Sequence, residues 1–118
     1  MIVMRMWMCN PKWMCRQHLL GEHLECHMFA SELKKGKKLQ GFKDNNLLET
    51  RMVKNRHDML ASEMGERGYN HKSPLNDRFS DDGSRIDQEK SFTELINRCS
   101  RCNDRYIKGK MDMCEWYL

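Results

Sequence analysis

Seven side chains able to move protons or hold a metal fall between residues 15 and 27 of this 118-residue chain: Cys15, His18, Glu22, His23, Glu25, Cys26 and His27. On a helix, spacings of three and four bring His18, Glu22, Glu25 and Phe29 to one face. Such a face suits proton transfer, because a carboxylate beside a second acid or in a partly desolvated cleft is tuned toward neutral pH. The alternative is an ordinary solvated polar face. His23 and His27 are four apart and could share a metal with Cys26 or Glu22. Leu24 rather than Glu follows His23, so the HExxH pattern of zinc proteases is absent; two half-exposed helix histidines are the alternative.

A second cluster is Cys99-Ser-Arg-Cys102. A closed zinc site needs four ligands, and only Cys114 follows, so Cys9, Cys15 or His71 would have to arrive by folding. Both cysteines lie on an apolar stripe, where cysteine packs as a small hydrophobe, and core packing is the first expectation. Redox use is expected least, because a reactive dithiol opens a helix and this pair falls inside the expected one. No metal or cofactor is assigned, Cys99 and Cys102 remaining the one candidate zinc pair. A third group is basic: Lys34, Lys35, Lys37, Lys38 and Lys43 lie in KKGKKLQGFKDNN, a surface fit for phosphates or simply a solubilising face.

The elements that must position these groups read as helices. Asn10-Pro11 suits a helix start, and Leu19, Leu20, Leu24, Met28 and Phe29 continue the pattern, predicting a long amphipathic helix from about Pro11 to Lys35 ended by Gly36. Gly21 within it either weakens it or permits a close approach. The lysine-rich stretch from 34 to 46 reads as a loop. A second helix is expected from about Leu48 to Arg67, with Met52, Val53, Met59, Leu60 and Met64 on its stripe and Gly68 as its cap. Asn76 to Ser84 reads as a mobile acidic connection. Phe92, Leu95, Ile96, Cys99, Cys102 and Tyr106 then mark one face of a third helix capped by Ser91. A tail from Gly109 ends in Trp116, Tyr117 and Leu118, whose aromatics are expected to pack back on the bundle.

Composition bounds the rest. The chain has room for one all-α compact domain, residues 1–118, of about three helices with irregular loops and a C-terminal tail. Lys plus Arg exceed Asp plus Glu by 21 to 17, and the +4 charge mildly favours a polyanionic partner. Six cysteines at irregular spacing are too few for a disulfide scaffold. The apolar start, Met1 to Cys9, is too short to span a membrane and no small-residue cleavage site follows it, so a cytoplasmic, monomeric protein with reduced thiols is expected. No phosphate-cradling glycine loop, GxSxG elbow or RNA-binding aromatic signature occurs.

Two stretches carry a family resemblance. Arg16-Gln17-His18-Leu19-Leu20-Gly21-Glu22-His23-Leu24-Glu25 resembles the first-helix motif of the phage pyrimidine-dimer DNA glycosylases of the endonuclease V type, in which Gln-His-Leu precedes a Glu pair three apart. Arg56, Leu60, Glu63, Arg67, Gly68, Tyr69 and Asn70 resemble that family's Arg, Leu, Glu, Arg-Gly-aromatic-Asn pattern at the same spacings. The resemblance implies a helical domain that binds duplex DNA containing damaged pyrimidines, flips a nucleotide, cuts its glycosidic bond and nicks the abasic strand. In that family the nucleophile is the chain's N-terminal α-amine, which forms an imine with the sugar, assisted by a glutamate. An α-amine with a pKa of about 7.7–8.0 is partly neutral at pH 7, unlike an ordinary lysine.

By position, the resemblance makes Glu25 the catalytic glutamate, Arg5 the arginine beside the amine, and His18 and Gln17 polar residues lining the site. Counting back without a gap puts the mature enzyme's start at Met4, so translation from Met4 is expected. The DNA-facing set it implies is Gln17, Glu22, His23, Arg67 and Asn70, joined by Lys34, Lys35, Lys37 and Lys38. Leu24 and Met28 stand where well-known members carry DNA-holding arginines, and the lysine-rich loop is expected to replace those contacts. The competing reading is a non-catalytic DNA-binding or zinc-stabilised interaction module on the same helical scaffold.

Overall fold

A computed structural model describes residues 4–115, with side chains described as far as Lys110. Expectations about Met1 to Val3, the Cys114 side chain and the aromatic tail at Trp116 to Leu118 lie outside the described residues. Among the described residues the fold is all-α, as expected, but five helices replace the expected three: α1 (Arg16–Lys34), α2 (Gln40–Asp44), α3 (Val53–Glu66), α4 (Gln88–Arg98) and α5 (Ser100–Glu115). Short 3₁₀ turns occupy Pro11–Trp13 and Thr50–Met52.

Each departure has a local or tertiary cause. Asn10 caps the turn at Pro11 through Lys12 N–H, yet Met14 is extended and α1 begins only at Arg16. The Arg67 Nη2 donates to the carbonyls of Pro11 at 3.0 Å and Met14 at 2.7 Å, so a distant side chain takes acceptors that a continuous helix would use. The C-terminal ends fall where glycine demanded. Gly36 and Gly68, at φ +85° and +82°, each close a paired 6→1 and 5→2 bonding motif: Lys37 N–H to Glu32 O and Gly36 N–H to Leu33 O, then Tyr69 N–H to Met64 O and Gly68 N–H to Gly65 O.

The lysine-rich stretch is not all loop, since Gln40–Asp44 forms α2 and sends Phe42 onto Phe29, ring centroids 5.2 Å apart. Nor is the acidic connection free. Thr50 Oγ1 donates to Ser80 O and Asp82 Oδ1, both at 2.9 Å, and buried Glu49 accepts from Ile86 N–H at 2.9 Å. The expected third helix is broken at Cys99, whose backbone is extended; Asp87, not Ser91, caps α4, and Ser91 lies buried inside it. Helix α5 runs through Gly109 to Glu115, where a tail was expected.

One buried cluster runs from Met6 through Leu19, Cys26, Phe29, Leu60 and Leu95 to Cys102. The apolar start of the chain belongs to it: Met6, Trp7, Met8 and Cys9 form a buried strap between α1, the turn after α2, and α4. Leu24, Met28 and Met59, read as stripe positions, are instead exposed at 60%, 42% and 45%. Helix α5 packs through Tyr106 against Trp13, centroids 4.8 Å apart, with Phe92 of α4 at 5.4 Å from the same indole.

Candidate active site

A cleft of about 770 Å³ opens where α1, the N-terminal strap, the turn after α2, and α4 meet. Helix α1 lines it with Gln17, His18, Gly21, Glu22 and Glu25, the face expected from the spacing. A Cβ built on Gly21 would meet nothing within 4 Å, so this glycine widens the cleft rather than admitting a neighbouring element. The strap contributes Arg5 and Trp7, and α4 contributes Ser91 and Glu94.

The two carboxylates of α1 have opposite surroundings. Glu22, expected to face DNA, is fully buried and clamped by Arg56 of α3 in a bidentate pair, Nε to Oε2 2.6 Å and Nη2 to Oε1 2.9 Å. Among the described residues Glu25 has no ion pair. Its Oε2 accepts the backbone N–H of Arg5 at 3.0 Å, and burial pushes its carboxyl up to about 7, Glu22 adding to the rise while Arg5 opposes it. A carboxyl of that kind exchanges a proton near neutral pH.

Arg5 points the other way from its amide. Its guanidinium lies 3.7 Å from the Trp7 ring centroid, bonds Glu94 Oε2 at 2.8 Å and Ser91 Oγ at 3.0 Å, and leaves Nε buried without a partner among the described residues. Hydrogen bonding to Arg5 holds the Glu94 carboxyl below its usual range. Ser91 in turn donates to Trp7 O at 2.5 Å. Ser91 and Glu94 are functional neighbours that sequence reading missed, since nothing local marks a pairing with a residue more than eighty positions away.

His18 sits at the cleft wall edge-on to Trp7, with Nδ1 turned away toward Cys15 Sγ at 3.2 Å and Cys102 Sγ at 3.7 Å. Burial lowers its imidazole below the usual value. Cys99 and Cys102, expected inside a helix, instead open α5, and the expected stripe accommodates only Cys102 fully, Cys99 being partly exposed.

The rest of the expected DNA-facing set divides. Gln17 and Asn70 are exposed. His23 is buried among the rings of His27, His57 and His71, with its Nε2 2.8 Å from that of His71. The proposed metal partners of that pair are elsewhere: Cys26 is in the core and Glu22 is on Arg56. Arg67 is engaged by Glu63 at 2.8 Å and by the two carbonyls that end the first turn, which makes it a packing residue. Lys34 pairs with Asp77 at 3.7 Å, and Lys35 and Lys37 both pair with Glu32. Among the described residues Lys38 has no ion pair. These exposed pairs are weak, about 0–1 kcal/mol each.

The family model for pyrimidine dimer DNA glycosylases matches residues 4–77, well over half of the chain. The chain belongs to that family. The match begins at Met4, next to the amide held by Glu25, and takes in Arg5, His18, Glu25 and both helix-ending glycines. Comparison with curated proteins and with solved structures found no match. Helices α4 and α5 lie beyond the matched segment, yet α4 provides the Ser91 and Glu94 that hold Arg5. DNA repair at pyrimidine dimers is thus the general role of the family to which the chain belongs, and no helix among the described residues is long and apolar enough to cross a membrane.

Proposed function

We propose that this pyrimidine dimer DNA glycosylase works through an imine, with an α-amine at residue 4 as nucleophile and Glu25 as its acid-base partner, and that it goes on to nick the abasic strand as a lyase. The observation carrying the reading is the 3.0 Å bond from Arg5 N–H to Glu25 Oε2: it puts the nitrogen of residue 4 within about 4 Å of the amide the carboxylate grips. A chain beginning at Met4 would present its amine there. The start of the family match at the same residue supports this.

In that geometry the neutral amine attacks C1′ of a flipped nucleotide, the glycosidic C–N bond breaks, and the base leaves with the electron pair and a proton. The C1′–O4′ bond then opens, O4′ taking the electron pair and a proton from the Glu25 carboxyl, which gives the iminium. The Glu25 carboxylate stabilises that charge and takes the C2′ proton, which expels the 3′ phosphate and breaks the strand, and water releases the enzyme from the imine. Arg5 lines the cleft, and its buried Nε, without a partner among the described residues, is a donor that a shift of the side chain would turn to a substrate oxygen. His18 acts here as a positioning residue, since its Nδ1 faces sulfur rather than the cleft.

The test is borohydride trapping on a duplex with a single abasic site. A chain starting at Met4 should form a covalent adduct and one whose amine is acetylated should not. No adduct from either, with duplex binding intact, would replace the enzyme by a DNA-binding module on the same scaffold.

A further inference from the structure

Behind the cleft wall that His18 forms, four side chains with metal-ligating atoms converge from two parts of the chain. Cys15 closes the turn before α1, His18 lies in the first turn of α1, Cys99 separates α4 from α5, and Cys102 lies in the first turn of α5. Cys15 Sγ is 3.8 Å from Cys99 Sγ and 3.2 Å from His18 Nδ1, Cys102 Sγ is 3.7 Å from His18 Nδ1, and all four ligand atoms lie within 4.8 Å of one another. Zinc–sulfur bonds of about 2.3 Å and a zinc–nitrogen bond of about 2.0–2.1 Å define tetrahedral edges of about 3.5–3.8 Å. The observed spacings sit around those edges.

Backbone donors complete the arrangement. Cys15 N–H points to Cys102 Sγ at 3.2 Å and Cys102 N–H to Cys99 Sγ at 3.4 Å, which orients sulfur ligands and offsets their charge. The described cysteines are all free thiols. The histidine cluster differs: His57 already has oxygen acceptors at both nitrogens, Asp58 Oδ1 and Ser73 O, each at 2.9 Å.

We infer that Cys15, His18, Cys99 and Cys102 form a structural zinc site that fastens the α4–α5 hairpin to the start of α1. The hairpin carries Ser91 and Glu94, so the metal would hold the Arg5 side of the cleft in place, and it would fix the His18 ring at the cleft wall. Closed four-ligand coordination leaves no position for substrate, so the ion takes no part in the chemistry.

Metal analysis of the full chain, purified under reducing conditions and washed with a weak chelator, should find about one zinc per chain. Cys99→Ser and Cys102→Ser should each lower the content about tenfold or more, whereas His57→Ala and His71→Ala should leave it unchanged. Should the serine variants fail to fold, cobalt(II) exchanged into the wild-type chain decides: a near-ultraviolet thiolate-to-cobalt band with intense visible bands reports tetrahedral sulfur coordination. Absence of zinc together with absence of those cobalt bands would overturn the site, as would zinc lost from the histidine variants and kept by the serine ones. Metal content is read without activity, so this result is independent of the trapping experiment.

Discussion

At the scale of single residues, two glutamates three positions apart have opposite fates. Glu22 receives a guanidinium fork and becomes a structural anchor; Glu25 receives a lone backbone N–H and retains a proton affinity suited to catalysis. Glu25→Gln should therefore preserve duplex binding while lowering single-turnover base release by about 10²–10⁴-fold, the range for loss of a positioned acid-base group. The pH profile follows from the same group. Because the proposed role needs both the carboxylate, pushed up to about 7, and a neutral amine, kcat/KM should fall as pH drops below that value, and more steeply than in the Gln variant, whose remaining slope comes from the amine alone. A pH-independent rate in the wild-type chain between 6 and 8 would remove Glu25 from the reaction.

At the scale of elements, α1 and α3 are joined by the buried Glu22–Arg56 pair and by the histidine cluster. Removing one partner strands a buried charge, so Glu22→Ala should cost about 3–5 kcal/mol in urea unfolding, while the double replacement Glu22→Leu with Arg56→Met should cost much less. Similar losses for both would show that the pair acts through packing alone. His23 gives the interface a pH dependence. Burial first, then the neighbouring His57, His27 and His71, lower its imidazole to about 4, and His27 is lowered in the same direction. An unfolded histidine binds its proton near 6.5, so the unfolded state gains protons first and stability should decline as pH falls from about 6.5 toward 4. Asp58 also faces the cluster through His57, and its carboxyl is held low; Glu25, raised, contributes a slope of opposite sign. The histidine contribution is therefore read from the difference between wild-type and His23→Gln melting curves, which should become independent of pH above about pH 7.

Across the whole molecule, the charge that faces a duplex is smaller than the lysine count suggests, because acids already neutralise most of the basic loop. Affinity for a lesion-free duplex should still fall with salt. Lys38→Ala should lower the log–log slope by about 1, and Glu32→Gln, by freeing Lys35 and Lys37, should tighten binding at low salt. A flat salt profile would place DNA recognition elsewhere than this loop. The form is elongated, 52 × 30 × 28 Å with a radius of gyration of 14.9 Å against about 13.5 Å for a compact chain of this length.

Read alone, the sequence determined what short-range physics governs: a helical class, helix ends at Gly36 and Gly68 where only a residue tolerant of positive φ fits, the shared face of His18, Glu22 and Glu25, and the family motifs. Tertiary structure decided the rest. Arg67 ended the first turn by taking carbonyls more than fifty residues away; Cys99 broke one expected helix into two; Ser91 and Glu94 reached Arg5; and Cys15 and His18 met Cys99 and Cys102. Helix periodicity and glycine conformation act over a few residues and are written locally. Which of two neighbouring carboxylates meets a cation, and which thiols meet across the chain, depends on how separate helices pack, and no local pattern encodes that.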